Sequence, residues 1–283
     1  MQHFKLPAGY ETIMTRYDAI VQAWRVPCTS LHVQTRQGVT HILAAGDSAS
    51  PPVILLHGRA VNAVIWETYI AELSKSYRVY AVDVIGEPGK SAPSRPRGKG
   101  QGHVEWLTDV LDELHAEGVG MIGMSFGGWL ALKIALAAPE RIGKMVLLCP
   151  GGFAPAEWRF MLYGAFAALL PTRANARGLV RFFSAPNVPL DDNQAELAQL
   201  VLKNYRPNIE PPSIFSDAEL RQITVPSLMF IGEYDRVFDP HTVVERARHL
   251  GKVIAAEIVP NAGHSLIFDA PQILPPISEF LIP

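Results

Sequence analysis

Six short apolar runs recur along the chain and set the terms of any fold it can adopt: PPVILLHG, YRVYAVDV, VGMIGM, KMVLLCP, VPSLMFIGEYD and AAEIVPNAGH. None alternates polar with apolar residues, so each must be covered on both faces, as strands of a parallel sheet are. Between most of them, at 64–76, 103–117, 126–138 and 241–250, apolar positions recur at helical spacing. That alternation predicts an α/β fold: a mostly parallel central sheet flanked by helices. Ahead of it, residues 9–25 read as a leading helix, and TSLHVQT and VTHILAAG flank the turn RQG as a β-hairpin. With 283 residues, 48% of them hydrophobic and 18% charged, the chain can bury a core of this size.

One interval breaks the rhythm. Residues 154–222 offer no convincing strand but carry AEWRFMLYGAFAALLP, RANARGLVRFFS and NQAELAQLVLKNYRP, each readable as a helix closed by Pro, Ser or Asn. The organisation expected is a core from 1–153, a helical cap inserted at 154–222, and a return to the core at 223–283.

The third apolar run leads into MIGMSFGG and then a long apolar helical segment. In G-x-S-x-G the serine occupies a sharp strand-to-helix turn that lifts its hydroxyl above the sheet, where crevices form. Ser125 is therefore the candidate nucleophile. A serine hydroxyl needs a base within reach. Among nine histidines, His264 stands best placed, in the loop VPNAGHSLIFDAP after the last strand, with Gly263 freeing the backbone before it. His32 and His41 belong to the hairpin; His3, His103, His115, His241 and His249 read as helix surface or tail. The imidazole in turn needs a carboxylate to fix its tautomer. Of the acids in GEYDRVFDP, Asp235 lies in the turn that faces the site, Asp239 reads as a helix N-cap before Pro240, and Glu233 as loop rim. Asp269 also reads as a cap. The oxyanion formed by attack on a carbonyl would take backbone N–H groups from Phe126 and from Arg59, in the loop after VILLHG, with His57 ordering that loop.

Other classes fit poorly. A formal net charge of −2, from 25 Lys+Arg and 27 Asp+Glu, leaves no basic face for nucleic acid. Neither C-x-x-C nor H-E-x-x-H spacing occurs, so no metal site is expected, and GEPGKS lacks the full phosphate-loop spacing. Cys28 and Cys149 read as small apolar residues rather than a disulfide. The first twenty residues hold no uninterrupted apolar stretch and MLYGAFAALLP is too short to span a bilayer, so a cytoplasmic protein without membrane insertion is expected.

Together these segments resemble the α/β-hydrolase superfamily. VILLHGRAVNAVIW is similar to its oxyanion loop, AVDVIGEPGKS to its D-x-x-G-x-G-x-S segment, GMSFGG to its nucleophile elbow, GEYDRVFDP to its acid turn and NAGHSLIFDAP to its histidine loop. YDAIVQAWRVP and THILAAG further resemble bacterial carboxylesterase-type members. The resemblance implies a cofactor-free serine hydrolase with Ser125, Asp235 and His264 as its triad and a helical cap. Ser125 departs from the dehalogenase and epoxide hydrolase branches, which carry Asp at the elbow. His57-Gly58-Arg59-Ala60 departs from the H-G-G-G of many lipases, which argues against bulky triglyceride substrates. Carbon–carbon bond hydrolysis, lactone opening and acyl transfer could use the same groups, and a non-catalytic receptor or scaffold could keep the same fold.

The cap segment carries Trp158, Phe160, Met161, Leu162, Tyr163, Phe166, Leu169, Phe182 and Phe183. Most such side chains pack helix to helix; Trp158, Met161, Leu162, Phe166 and Phe183 are the candidates to line an apolar substrate pocket. Arg159, Arg173, Arg177 and Arg181 read as solvated helix faces. The substrate expected is a small or medium ester with an apolar acyl or aryl part.

Overall fold

The computed structural model describes residues 3–98, 100–190, 192–251 and 253–282. Eight strands form one sheet: β1 (Thr29–Thr35), β2 (Gly38–Ala45), β3 (Pro52–Leu56), β4 (Arg78–Val82), β5 (Val119–Met124), β6 (Ile142–Leu148), β7 (Ser227–Gly232) and β8 (Ile254–Val259). Their order is β1-β2-β4-β3-β5-β6-β7-β8. The β1–β2 and β2–β4 pairs are antiparallel and all the others parallel. The continuous apolar runs became the central strands: β7 is buried at every position, and β3, β5 and β6 are buried through their last four residues. The sheet is mostly parallel with helices packed on it, as the alternation of the sequence predicts.

Outside residues 154–222 the helices are α1 (Pro7–Ala23), α2 (Glu67–Leu73), α3 (Gln101–Glu113), α4 (Phe126–Ala137), α9 (Pro240–Leu250) and α10 (Ala270–Leu281). Between β6 and β7 lie α5 (Trp158–Leu169), α6 (Arg173–Phe183), α7 (Asp192–Asn204) and the short α8 (Asp217–Arg221). Among the described residues of 154–222 there is no strand, only an isolated bridge from Tyr205 to Phe4. α1 begins two residues before the expected start, because Pro7 suits a first helical turn. α8 is set by a capping box of Ser216 and Glu219.

Apart from the cap reading of Asp269, nothing in the sequence marks α10, since Pro275 and Pro276 sit inside it. Pro275 is exposed and Pro276 half-buried, while Ile273, Leu274, Ile277 and Leu281 are buried. The carbonyls that lose a donor belong to the exposed Pro271 and Gln272, where water can take its place. Asp269 precedes this helix but its side chain caps nothing, correcting the expectation. A 3-10 turn at Leu266–Asp269 runs straight into α10, so Asp269 lacks the extended backbone that lets a cap side chain turn back. Asp239 does cap α9, accepting the Thr242 N–H at 2.7 Å.

Two buried polar groups tie the loops to this frame. Asp83, just past β4, accepts His41 Nδ1 at 2.9 Å, the Ala63 N–H at 2.8 Å and the Lys90 N–H at 3.0 Å. Burial alone would raise this carboxyl; the bond to His41 and its charge outweigh it and hold the pKa below the usual value. Trp106 on α3 is fully buried and its indole N–H donates to Thr40 Oγ at 2.7 Å. At the far edge of the sheet Arg248 of α9 donates twice to the Ala256 carbonyl of β8, from Nε at 2.9 Å and Nη2 at 2.6 Å. Cys28 and Cys149 are both unpaired. Among the described residues no helix is long and apolar enough to cross a membrane.

His103 corrects a second expectation. It does not lie on an open helix surface but between α3 and α4, its ring edge-on to Phe126 at 5.5 Å and to Trp129 at 6.3 Å. Burial, helped by the positive charge of Arg59, lowers its pKa to about 4. Unfolding restores a group that titrates near 6.5, so the unfolded chain binds the extra proton between those values and stability falls as pH drops from about 6.5 to about 4. His103→Gln should flatten that part of the stability profile, measured by thermal melts from pH 4 to 8, while leaving the alkaline part unchanged.

Candidate active site

The strand-to-helix turn after β5 is held by contacts on every side. Ser125 has φ 52° and ψ −109°, a conformation that costs an L residue about 1–3 kcal/mol. Its N–H donates to the Leu148 carbonyl at 2.8 Å, and its carbonyl accepts from Gly151 at 3.0 Å and Trp129 at 3.1 Å. These bonds to β6 and its following loop keep the strained residue in place. At Gly127 an added Cβ would overlap the Leu56 carbonyl oxygen, so a glycine there lets α4 start directly against the end of β3. Ser125 is left half-buried at the carboxyl edge of the sheet. Phe126 is the first residue of α4, with an N–H that has no acceptor inside the helix.

Asp235 and His264 come together from the loops after β7 and β8. His264 Nδ1 donates to Asp235 Oδ2 at 2.7 Å, with both residues buried. Asp235 Oδ1 accepts the N–H groups of Val237 at 2.7 Å and Phe238 at 3.0 Å, so the carboxylate is fully engaged. With Nδ1 committed to Asp235, Nε2 is the imidazole's free acceptor. Phe183 and Phe238 flank the ring, at centroid distances of 5.7 and 5.6 Å. The histidine loop is braced by α6: the Ser265 N–H donates to the Phe183 carbonyl at 3.0 Å. Gly263 runs so close to residues 183–185 that a Cβ there would strike the Phe183 carbonyl. Glu233, on the rim, accepts the Asn261 N–H at 2.8 Å. Gly151 links the two halves, because a Cβ placed on it would lie 3.7 Å from the Ser125 carbonyl and 3.8 Å from the Phe238 ring.

The loop after β3 passes beside the turn: a Cβ on Gly58 would lie 3.5 Å from that of Ser125. His57 orders it. Its Nε2 accepts the Val84 N–H at 2.9 Å, so Nδ1 carries the proton given to the Gly58 carbonyl at 2.8 Å. Burial lowers its pKa, which keeps it neutral in that role. Ala60, at φ 55°, donates to the buried Glu87 carboxylate at 2.7 Å. The Arg59 N–H is thereby carried on a loop pinned on both sides.

The pocket candidates divide. Phe183 lies against the His264 ring, whereas Trp158, Met161, Leu162 and Phe166 are exposed on α5. Phe160, Tyr163, Phe182 and Phe183 interlock between α5 and α6, with Tyr163 and Phe182 stacked at 5.5 Å. Arg173 and Arg177 both pair with Asp192, and Arg181 donates to the Val188 carbonyl at 2.7 Å.

Three groups near the pair are not placed at the site by the sequence reading. Phe238 follows the acid by three residues and could have been found from that spacing. Cys149 is fully buried, and its Sγ, an Asp235 oxygen and a His264 nitrogen lie within 4.8 Å of one another. Burial pushes this thiol up, so it stays protonated, and with His264 already bound to Asp235 the trio is poorly suited to hold a cation. Asp269, whose carboxyl burial raises to about 6 despite the Gly263 N–H beside it, gave no signal beyond its place before a helix.

Known proteins similar to this chain include carboxylesterases of Bacillus subtilis. The uncharacterized carboxylesterase nap of Bacillus subtilis (strain 168) is 35% identical over 270 residues, 90% of this chain and 87% of that protein. Carboxylesterase YbfK of the same organism is 33% identical over 268 residues, 90% and 88% of the two chains. The crystal structure of naproxen esterase (carboxylesterase NP) from Bacillus subtilis superposes with a TM-score of 0.89 at 31% identity, covering 98% of this chain and all of that one (100%). Residues 53–274, which hold the Ser125 turn, Asp235 and His264, match the alpha/beta hydrolase family, and the chain belongs to that family.

Proposed function

We propose that this protein hydrolyses carboxylic esters through an acyl intermediate on Ser125, with His264 as base, Asp235 as its carboxylate partner and the amides of Arg59 and Phe126 as oxyanion donors. The observation that carries this reading is the buried 2.7 Å Asp235–His264 bond at the same sheet edge that presents Ser125 in a strained turn. The carboxylesterase names of the relatives support the ester class.

Each step follows from the groups in place. His264 Nε2 takes the proton from Ser125 Oγ as the oxygen attacks the ester carbonyl. Asp235, held by two amides, keeps the ring in the Nδ1–H tautomer and stabilises the imidazolium. Charge gathering on the carbonyl oxygen meets N–H groups already oriented by the start of α4 and by the loop after β3, so little reorganisation is needed. The alcohol leaves with the proton from His264. Water then repeats the cycle on the acyl-serine and frees the acid. No group in this sequence of steps calls for a cofactor.

Residues 154–222 serve as a cap in this reading. Phe183 beside the His264 ring, with Trp158, Met161, Leu162 and Phe166 on the exposed side of α5, offers an apolar approach suited to a small or medium ester with an apolar part. The unpaired Cys28 and Cys149 fit a reducing compartment, and we place the enzyme in the cytoplasm.

Ser125→Ala should abolish p-nitrophenyl ester hydrolysis and fluorophosphonate labelling, with a melting temperature close to the parent's, because alanine fits the same backbone; full turnover by this variant refutes the assignment. Asp235→Asn retains an oxygen for the Val237 and Phe238 amides but favours the wrong imidazole tautomer. Its kcat should fall by about 10⁴, read by stopped assays of the folded variant. Across p-nitrophenyl esters, kcat/KM should peak at short to medium acyl chains, and a maximum at long chains would overturn the substrate class.

A further inference from the structure

The two residues assigned to the oxyanion meet through their side chains as well as their amides. The Arg59 guanidinium lies over the Phe126 ring, 4.2 Å from its centroid, and Nη1 donates to the Asn208 carbonyl at 2.8 Å. Behind Phe126 the Trp129 ring is stacked at 5.5 Å with a 16° interplanar angle. Its indole N–H donates to the Ser213 carbonyl at 2.9 Å, and its ring meets Phe215 at 6.4 Å. The Phe215 N–H closes the far end on the Gly152 carbonyl at 2.9 Å. One continuous stack thus starts at residue 59, crosses the first turn of α4 and holds the segment 208–215 that returns from α7 to α8. The same segment reaches the site itself, since Pro212 lies against Gly151 beside the Ser125 carbonyl.

Like Arg78 and Arg95, Arg59 turns its guanidinium to a ring and a backbone carbonyl rather than to a carboxylate, but it alone of the three does so on the Phe126 ring. Among the described residues it forms no salt bridge, and its Nε is buried without a hydrogen-bond partner. Its planar group is spent on a ring face and a carbonyl instead, a geometry that lysine cannot reproduce.

We propose that the Arg59 side chain is a positioning residue for acyl transfer: stacked on Phe126 and bound to the Asn208 carbonyl, it sets the spacing of the two amide donors and couples that spacing to the seating of residues 208–215. This rests on the assignment of the Arg59 and Phe126 amides to the oxyanion. Neither residue's backbone is altered by side-chain substitution, so the donors persist and only their placement changes.

The test compares Arg59→Met, Arg59→Lys, Phe126→Leu and the Met/Leu double variant with the parent enzyme. Each single variant should lower kcat roughly 10- to 100-fold with KM changed by less than about threefold, short of the loss expected from removing a donor outright. Affinity for a trifluoromethyl ketone, which forms a tetrahedral adduct, should fall by the same factor as kcat. The double variant should be no slower than the worse single, because both break one contact. Parent-like kcat in Arg59→Lys, additive losses in the double variant, or unchanged ketone affinity would overturn the proposal. So would losses that track the melting temperature alone. If Arg59→Met fails to fold, Arg59→Lys and Phe126→Leu still decide the matter. Fluorophosphonate labelling of Ser125 in the parent separates the two readings: an unlabelled, active parent sinks the serine mechanism, whereas labelled variants with undiminished kcat sink only the role of Arg59.

Discussion

The closeness of α4 to the end of β3 is the constraint on which the site depends. A helix can begin there only because Gly127 has no side chain to meet the Leu56 carbonyl. That approach forces the chain to reverse within one residue, and the residue that takes the left-handed conformation is Ser125. The strain persists because the serine's N–H and carbonyl are both committed to β6 and the loop beyond it. The same proximity carries the loop after β3 alongside the serine, so nucleophile and amide donors are placed by one packing decision.

The acid and the base arrive by a different route. β7 and β8 are neighbours in parallel register, so the loops leaving their carboxyl ends are neighbours too, and Asp235 and His264 need cross only a short gap. Packing then removes their freedom. The two amides on Asp235 Oδ1 fix the carboxylate, the backbone at the end of α6 presses on Gly263, and Phe183 and Phe238 close over the imidazole. Helices outside the core alternation thereby help to orient a core residue. A change at the end of α6 would reach His264 through both the Phe183 ring and the backbone beside Gly263.

Much of this was legible from residue order. The buried strands follow from apolar runs that allow no wet face, and the turn at Ser125 from glycines with no other use. Asp239 was readable as a cap because Asp-Pro before a helical stretch has few other roles. What escaped the sequence has physical reasons. α10 is poorly marked because prolines normally end helices, and here the carbonyls that Pro275 and Pro276 leave without a donor belong to the exposed Pro271 and Gln272. His103 looked like a surface residue because its burial comes from α4, far along the chain. The stack from Arg59 to Phe215 joins positions more than 150 residues apart, and no local pattern announces it.

At its outer margin the sheet ends in β8, whose unpaired main-chain groups would accept another strand as readily as β7 does. Arg248 occupies the Ala256 carbonyl with two of its nitrogens and puts a positive charge beside that margin. A strand arriving from another molecule would have to evict a bidentate cation before forming its first bond. Along this one margin Arg248 therefore opposes sideways extension of the sheet.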